Sequence, residues 1–295
     1  MVNVNGRITD EREAVVPVFD HGFLYGEGVY ETLRTYNGRP FLLDRHLRRL
    51  RTSAGMIALR VPLTDDEFDA RIATTAEAAA GRFGAADWYI RILLTRGVGD
   101  LGYDPAACPA PSVVVIVRPF EPPPPEAYDE GVTVALVSVM RNHPGALNPL
   151  IKSNNLLNNV LAMQEAVTRG AFEGVMRNHR GELAECTTAN LFIVRKQVVM
   201  TPPLDAGLLA GITREFLFEV AAEEGIAARD AILTDTDLFE ADEAFLTSTT
   251  RELVPIVRVD DEVIGDGKPG PVTRALLAAF RARARALTED SGLRT

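Results

Sequence analysis

Three lysines occur in the 295 residues, at positions 152, 196 and 268, and one of them has surroundings suited to covalent chemistry. A lysine is ordinarily a solvated surface charge. Lys196 falls in a hairpin turn and Lys268 in a glycine-rich loop, so both read in that ordinary way. Lys152 is flanked by Ile151 and by Leu156-Leu157, where a strand meets a helix. Apolar flanks of that kind strip water from the ammonium and favour the free amine, a nucleophile toward an aldehyde. A second chemical feature is Gly211-Ile212-Thr213, which opens a helix and so presents free N–H groups and a positive dipole end to an anion. Competing chemistries lack their residues. His21, His46, His143 and His179 are scattered with no i, i+4 pairing, and no metal-ligand spacing appears. Neither a G-x-S-x-G elbow nor a G-x-x-x-x-G-K phosphate loop is present.

The elements that must position these residues alternate between strand and helix. The chain opens with short β signals at Val2-Asn3-Val4 and Val15 to Phe19, with an Asn5-Gly6 turn between them. An amphipathic helix is predicted over 44–59, with Leu47, Leu50 and Ala54 on one face and Asp44 as its N-cap. A second helix is predicted over 64–83, then strands over 88–95 and 112–118. Pro122 to Pro125 cannot sit inside a helix or a central strand and read as a stiff, extended linker. Past it come strands over 132–139, 172–176, 191–194, 198–200, 244–247 and 255–259, and helices over 155–169, 212–225 and 271–286. The division expected is a small N-terminal α/β domain, 1–120, a linker, 121–131, and a larger domain, 132–295, that carries Lys152. Short strands mixed with helices in both halves indicate an α+β fold.

Composition narrows the partners. The formal charge of −10 and the pI near 5.0 argue against nucleic acid, since a duplex binder needs a basic face to displace counterions. No apolar run approaches the length of a membrane span, and the first residues show no basic patch followed by an apolar stretch. Two cysteines, Cys108 and Cys186, do not make a disulfide framework or a zinc cluster. No metal is expected, and a reducing cytoplasm is.

Seven segments stand in order along the chain: HGFLYGEGVYETLR (21–34), RHLRRL (45–50), YIRILLTRG (89–97), IKSNNLLNNVLA (151–162), GELAECTTANLFIV (181–194), TPPLDAGLLAGITR (201–214) and ADEAFLTSTTRELVPI (241–256). In type and spacing they resemble the class IV, fold-type IV pyridoxal-phosphate enzymes, over residues 1 to about 280. That family includes branched-chain amino acid aminotransferases, D-amino acid aminotransferases, some amine transaminases and 4-amino-4-deoxychorismate lyase. The resemblance implies the fold-type IV architecture, with a pseudo-barrel-like second domain, and pyridoxal 5'-phosphate as cofactor. It also implies a homodimer or larger assembly, with a loop supplied by the partner subunit.

The resemblance further implies roles for particular residues. Lys152 holds the cofactor as a Schiff base and then moves a proton. Glu185, which by type alone reads as a strand carboxylate, pairs with the cofactor's ring nitrogen. A carboxylate there keeps that nitrogen protonated, and a protonated ring is the better sink for electrons. Arg49, Ile212, Thr213 and Thr249 hold the phosphate, the planar fork of Arg49 suiting a dianion. Tyr25, Tyr30, Tyr89 and Arg91 match positions that line the substrate pocket of the branched-chain enzymes, with Arg34, Ser248 and Thr250 beside them. Aromatics on strands are as readily core packing as pocket lining, and residue type alone leaves that choice open.

Within the family, D-specific members carry an Arg-x-His carboxylate trap shortly after T-R-G. Here Leu101 and Tyr103 stand where it would fall. Leu157 cuts the other way, standing near the place where many branched-chain enzymes have a tyrosine. The function expected is transfer of an amino group from a branched-chain L-amino acid to 2-oxoglutarate. A D-amino acid or (R)-amine transaminase is the alternative, and the lyase a more distant one.

Overall fold

The first forty residues supply four strands and one short helix: β1 (Val2–Val4), β2 (Arg7–Thr9), α1 (His21–Tyr25), β3 (Gly28–Tyr36) and β4 (Arg39–Pro40). The computed structural model describes residues 1–84 and 87–289. The turn between β1 and β2 is the expected Asn5-Gly6, both at positive φ, where an Asn-Gly pair carries little strain. Val15 to Phe19 departs from expectation. It forms no strand, because Pro17 removes a ladder donor, and Val15 and Val18 remain 72% and 63% exposed.

Helix α2 (Leu43–Met56) starts one residue earlier than predicted and stops three residues sooner. Its N-cap position is Leu42, at φ 52° and without a side-chain cap, while Asp44 lies inside the first turn. The helix ends because Ala58 adopts a left-handed conformation and the Leu59 N–H turns back to the Ala54 carbonyl. Helix α3 (Asp65–Phe83) begins as the sequence indicates, on a capping box in which Thr64 and Glu67 satisfy each other's backbone N–H groups. With β5 (Trp88–Thr95) and β6 (Ser112–Pro119), the strands form a six-stranded sheet in the order β2-β1-β6-β5-β3-β4, antiparallel throughout.

Alternation splits this sheet into two faces. Val29, Leu33, Ile90, Ile92 and Val115 pack in one cluster with Leu47, Leu50, Phe68 and Ile72 of the two helices. Tyr30, Thr32 and Arg34 of β3 stand on the other face, in register with Leu93, Arg91 and Tyr89 of β5. The segment Ile151–Asn155 belongs to this same compact unit, which comprises Met1–Glu121, 151–155 and the residues from Ala284 onward. Where the sequence reading put Lys152 in the second domain, its segment instead lies along β3. The Tyr30 N–H donates to the Lys152 carbonyl at 2.9 Å and the Asn154 N–H to the Gly28 carbonyl at 2.9 Å. Gly28 permits the approach, since a Cβ there would strike Asn154 Nδ2 and the Leu94 carbonyl.

The second compact unit is Pro122–Leu150 with Leu156–Arg283. Its proline run does not stay extended to the end of the expected linker. Pro125 has helical dihedrals and leads into α4 (Glu126–Asp129), a start at which its missing N–H costs nothing. There follow β7 (Val132–Leu136), α5 (Leu157–Thr168), β8 (Glu173–Arg177), β9 (Leu183–Cys186), β10 (Asn190–Arg195), β11 (Val198–Thr201), α6 (Ile212–Glu223) and β12 (Ala228–Asp230). The unit closes with α7 (Asp235–Phe239), β13 (Glu243–Ser248), β14 (Glu252–Val259), β15 (Glu262–Val263) and α8 (Pro271–Thr288), whose last residues belong to the first unit. The sheet order is β12-β11-β10-β13-β14-β7-β8-β9, with β15 on β14. Strand β7 is parallel to both of its neighbours, and β11 is parallel to β12. Val134, Val175, Leu191, Ile193, Leu246 and Val254 fill the core beneath it. No described helix is long and apolar enough to cross a membrane.

Candidate active site

In the first unit, Lys152 is fixed through its backbone. Its N–H donates to Ser53 Oγ on α2 at 3.1 Å, its carbonyl accepts from Tyr30, and Ser153 forms a β-bridge with Val29. The side chain leaves that anchored backbone with Nζ 4.5 Å from the centre of the Tyr30 ring. The Arg91 guanidinium lies 4.1 Å from the same ring centre. An aromatic face attracts both cations, so one tyrosine gathers an amine and a guanidinium from distant segments. Lys196 and its neighbour Gln197 adopt the left-handed conformation of a hairpin turn, and Lys268 stands in a loop.

The remaining predicted pocket residues of this unit are spread more widely. Tyr89 shares the face of Tyr30 and Arg91, but its ring lies under Arg118 at 4.8 Å. Arg34 is four residues along β3 from Tyr30, about 13 Å by strand rise. It is buried, with its guanidinium 3.7 Å from the Phe120 ring centre and 4.1 Å from that of Tyr36. The structure therefore does not bring Arg34 to Lys152. Tyr25 ends α1, where its hydroxyl accepts from the Gly102 N–H at 3.1 Å and its ring meets His21 and Tyr103 edge-on. His21 Nε2 lies 2.9 Å from the Asp100 carbonyl, so Tyr25 and His21 together hold the 97–104 loop.

Arg49 does not hang free from α2. Its Nε and Nη2 donate to the two carboxylate oxygens of Glu31, at 2.7 and 2.8 Å, a bidentate fork. Glu31 is fully buried, and His46 Nδ1 sits 2.7 Å from the same carboxylate. Burial alone would raise the Glu31 pKa; the charge and hydrogen bonds of Arg49, joined by His46, outweigh it and pull the carboxyl down to about 2. Burial also lowers the His46 pKa. A neutral ring donating from Nδ1 fits, because His46 Nε2 is buried with no hydrogen-bond partner among the described residues. The sequence reading missed Glu31. Its signal was an acid at an inward position of an alternating strand, between Val29 and Leu33. Arg48 and Arg51, by contrast, make exposed pairs with Asp44 and Asp65.

In the second unit, Glu185 on β9 is buried, at 5% exposure. Arg141 Nε donates to its Oε1 at 2.8 Å, and the Leu209 N–H to its Oε2 at 3.1 Å. Asn190 Nδ2 is 3.4 Å from Oε2 and 3.0 Å from the Leu209 carbonyl. Arg141, a second omission of the sequence reading, is also buried and in turn donates to Asn158 Oδ1. Asn190 ties this carboxylate to the start of α6. Its Oδ1 occupies the space that a Cβ on Gly211, the N-cap of that helix, would need. The first N–H groups of a helix have no acceptor within it, and here they belong to Ile212 and Thr213. Ser248, Thr249 and Thr250 form the half-buried turn between β13 and β14, closed by the Arg251 N–H on the Ser248 carbonyl at 3.2 Å. Leu157 opens α5 and is 65% exposed.

The model of the amino-transferase class IV family matches residues 28–259, from the first residue of β3 to the last of β14. The chain belongs to the class IV aminotransferases. A Methanocaldococcus jannaschii protein provisionally named a branched-chain-amino-acid aminotransferase is 40% identical over 280 residues, 95% of each chain. A D-alanine aminotransferase of Listeria monocytogenes is 35% identical over 282 residues, 95% of this chain and 94% of that one. The crystal structure of the Escherichia coli branched-chain amino acid aminotransferase superposes with a TM-score of 0.90 at 30% identity, covering 98% of this chain and 96% of that one. The architecture is thus the α+β, fold-type IV one expected from the sequence. As a class IV aminotransferase, the protein acts on small-molecule amino donors and keto acids.

Proposed function

We propose that this aminotransferase uses pyridoxal 5'-phosphate to move an amino group from a branched-chain L-amino acid to 2-oxoglutarate. The observation that carries the reading is Lys152, the one lysine anchored by its backbone to a strand and a helix with its Nζ against an aromatic face. The donor set fits the cofactor. An amine suits the aldehyde, a buried carboxylate suits the ring nitrogen, and the free N–H groups of Ile212 and Thr213 at a helix start suit the phosphate. When bound, the cofactor supplies an aldehyde carbon for amines and a ring that takes up electrons released at the substrate Cα.

Around it the chain's own groups divide the work. Lys152 Nζ removes the Cα proton of the donor and returns a proton on the other side of the cycle. Glu185 keeps a proton on the ring nitrogen by its negative charge, and Arg141, Asn190 and the Leu209 N–H hold that carboxylate in place. Arg49, the Ile212 and Thr213 N–H groups and Thr249 Oγ1 bind the phosphate. Tyr25, Tyr89, Arg91, Ser248 and Thr250 orient carboxylates, Arg34 braces the strand, and the Tyr30 ring receives an aliphatic side chain. A homodimer or larger assembly in the cytoplasm completes the reading.

The L-hand follows from Leu101 and Tyr103, which leave no Arg-x-His trap for a D-substrate carboxylate. The Methanocaldococcus relative and the Escherichia coli structure, both named for branched-chain substrates, support the choice. Leu157 and the Listeria relative favour a second reading, a D-amino acid or (R)-amine transaminase. Single-turnover reactions with L-leucine and D-alanine at matched concentration decide between them. The visible band should convert faster with L-leucine, and a faster D-alanine reaction overturns the assignment.

A further inference from the structure

Glu173, at the start of β8, is a fully buried carboxylate with no part in the chemistry above. Five donors converge on it. Its Oε1 accepts from the Gly174 N–H at 3.0 Å, the Thr187 N–H at 3.1 Å and the Thr187 hydroxyl. Its Oε2 accepts from Thr188 Oγ1 at 2.6 Å and Arg251 Nη1 at 2.8 Å. Gly174 lets the strands close up, because a Cβ there would press on Val137 Cγ1 at 2.9 Å and Thr187 Cγ2 at 3.1 Å.

Apart from the adjacent Gly174 N–H, the donors come from two turns. Thr187 and Thr188 form the turn that follows Glu185 on β9, and Arg251 ends the Ser248–Thr250 turn. Arg251 is held twice more, by its N–H on the Ser248 carbonyl and by the Tyr128 hydroxyl on its own carbonyl at 3.1 Å. Its guanidinium lies 5.0 Å from the Phe172 ring centre. We infer that Glu173 and Arg251 are positioning residues, which lock the Ser248–Thr250 turn to the turn after Glu185 so that Thr249 Oγ1 stays where it can hold a phosphate. The inference rests on the phosphate role proposed for Thr249. A charge-assisted bond to a fully buried carboxylate resists rotation of the turn far better than one between two exposed groups, since water does not compete for the acceptor.

The test compares pyridoxal 5'-phosphate with pyridoxal, which lacks the phosphate, titrated into the cofactor-stripped full-length chain and followed by absorbance. The ratio of the two dissociation constants reports phosphate recognition alone, which a merely weakened fold would not change. Arg251→Met should shrink that ratio by about tenfold, the loss of one charge-assisted hydrogen bond, and leave pyridoxal affinity nearly unchanged. Thr249→Val should shrink it similarly, and the double variant no further than the larger single effect, because both act through one contact. Arg251→Lys, which keeps the charge on a single-point donor, should fall between wild type and Arg251→Met and serves if the methionine variant does not fold. A ratio reduced by Thr249→Val and untouched by both Arg251 variants overturns the inference and leaves the reading of Thr249 standing. A ratio untouched by Thr249→Val overturns that reading, and the positioning role with it.

Discussion

Glu31 on β3 and Arg49 on α2 face each other through two hydrogen bonds of 2.7 and 2.8 Å, with the carboxylate wholly out of contact with solvent. A guanidinium held by a planar fork cannot swing, so the direction it offers an anion is decided by an acid on another element. Glu31→Gln removes the countercharge and leaves Arg49 nearly buried without it, a loss of about 3–5 kcal/mol in folding stability. Urea unfolding at neutral pH measures it. A variant within about 0.5 kcal/mol of wild type would show that the pair contributes nothing net.

The same pair sets an acid limit. The Glu31 carboxyl is held at about 2 in the folded chain against an ordinary 4.5, so the unfolded chain takes up its proton first as pH falls. The stabilisation is complete above about 4.5 and drains away as pH drops toward 2. His46 acts in the same direction from higher pH, because burial holds its pKa below the ordinary 6.5 and the unfolded ring charges before the folded one. Unfolding free energy measured from about pH 4.5 down toward pH 2 should therefore fall less steeply in Glu31→Gln than in wild type. Parallel profiles would assign the acid sensitivity to other groups.

Lys152→Ala should abolish turnover and the cofactor's covalent attachment while the melting temperature of the cofactor-free chain stays near wild type. The side chain makes no hydrogen bond among the described residues, and its backbone bonds to Ser53 and Tyr30 survive the change. Borohydride reduction followed by peptide mapping checks the assignment, and label on Lys196 or Lys268 would remove it.

Glu185→Gln should keep the cofactor and lose most of the rate. The amide is nearly the same size and its one oxygen can still accept from Arg141, but it loses the second acceptor that the Leu209 N–H uses and carries no charge to hold a proton on the ring nitrogen. The barrier should rise by about 3–4 kcal/mol, typical of removing one preorganised electrostatic partner. A kcat within a few-fold of wild type would place the ring-nitrogen partner elsewhere.

Gly211→Ala should weaken the start of α6 although its φ of −71° suits any residue. The added methyl collides with Asn190 Oδ1, the same side chain that links the helix start to Glu185. Overpacking of this kind costs about 1–3 kcal/mol. Asn190→Ala should relieve most of it in the double variant; calorimetry on both variants reads the coupling, and additive losses would count against the collision.

What the sequence determined by itself was local or carried in a segment. The helix over 64–83, the Asn5-Gly6 turn and the strand over 88–95 rest on neighbours a few residues apart, so they were legible before any fold was known. Lys152 stood out for the same reason, as one of three lysines and the one set among apolar residues. The tertiary structure alone decided which charges meet. Glu31 looks like a solvated acid until α2 lays Arg49 and His46 over it, and Arg141 is one arginine among many until it meets Glu185. The lysine segment was assigned by chain order to the second half, yet backbone hydrogen bonds to β3 hold it in the first unit. Burial of a charge depends on what packs over it, and that depends on contacts between residues far apart in the chain, which no local pattern encodes.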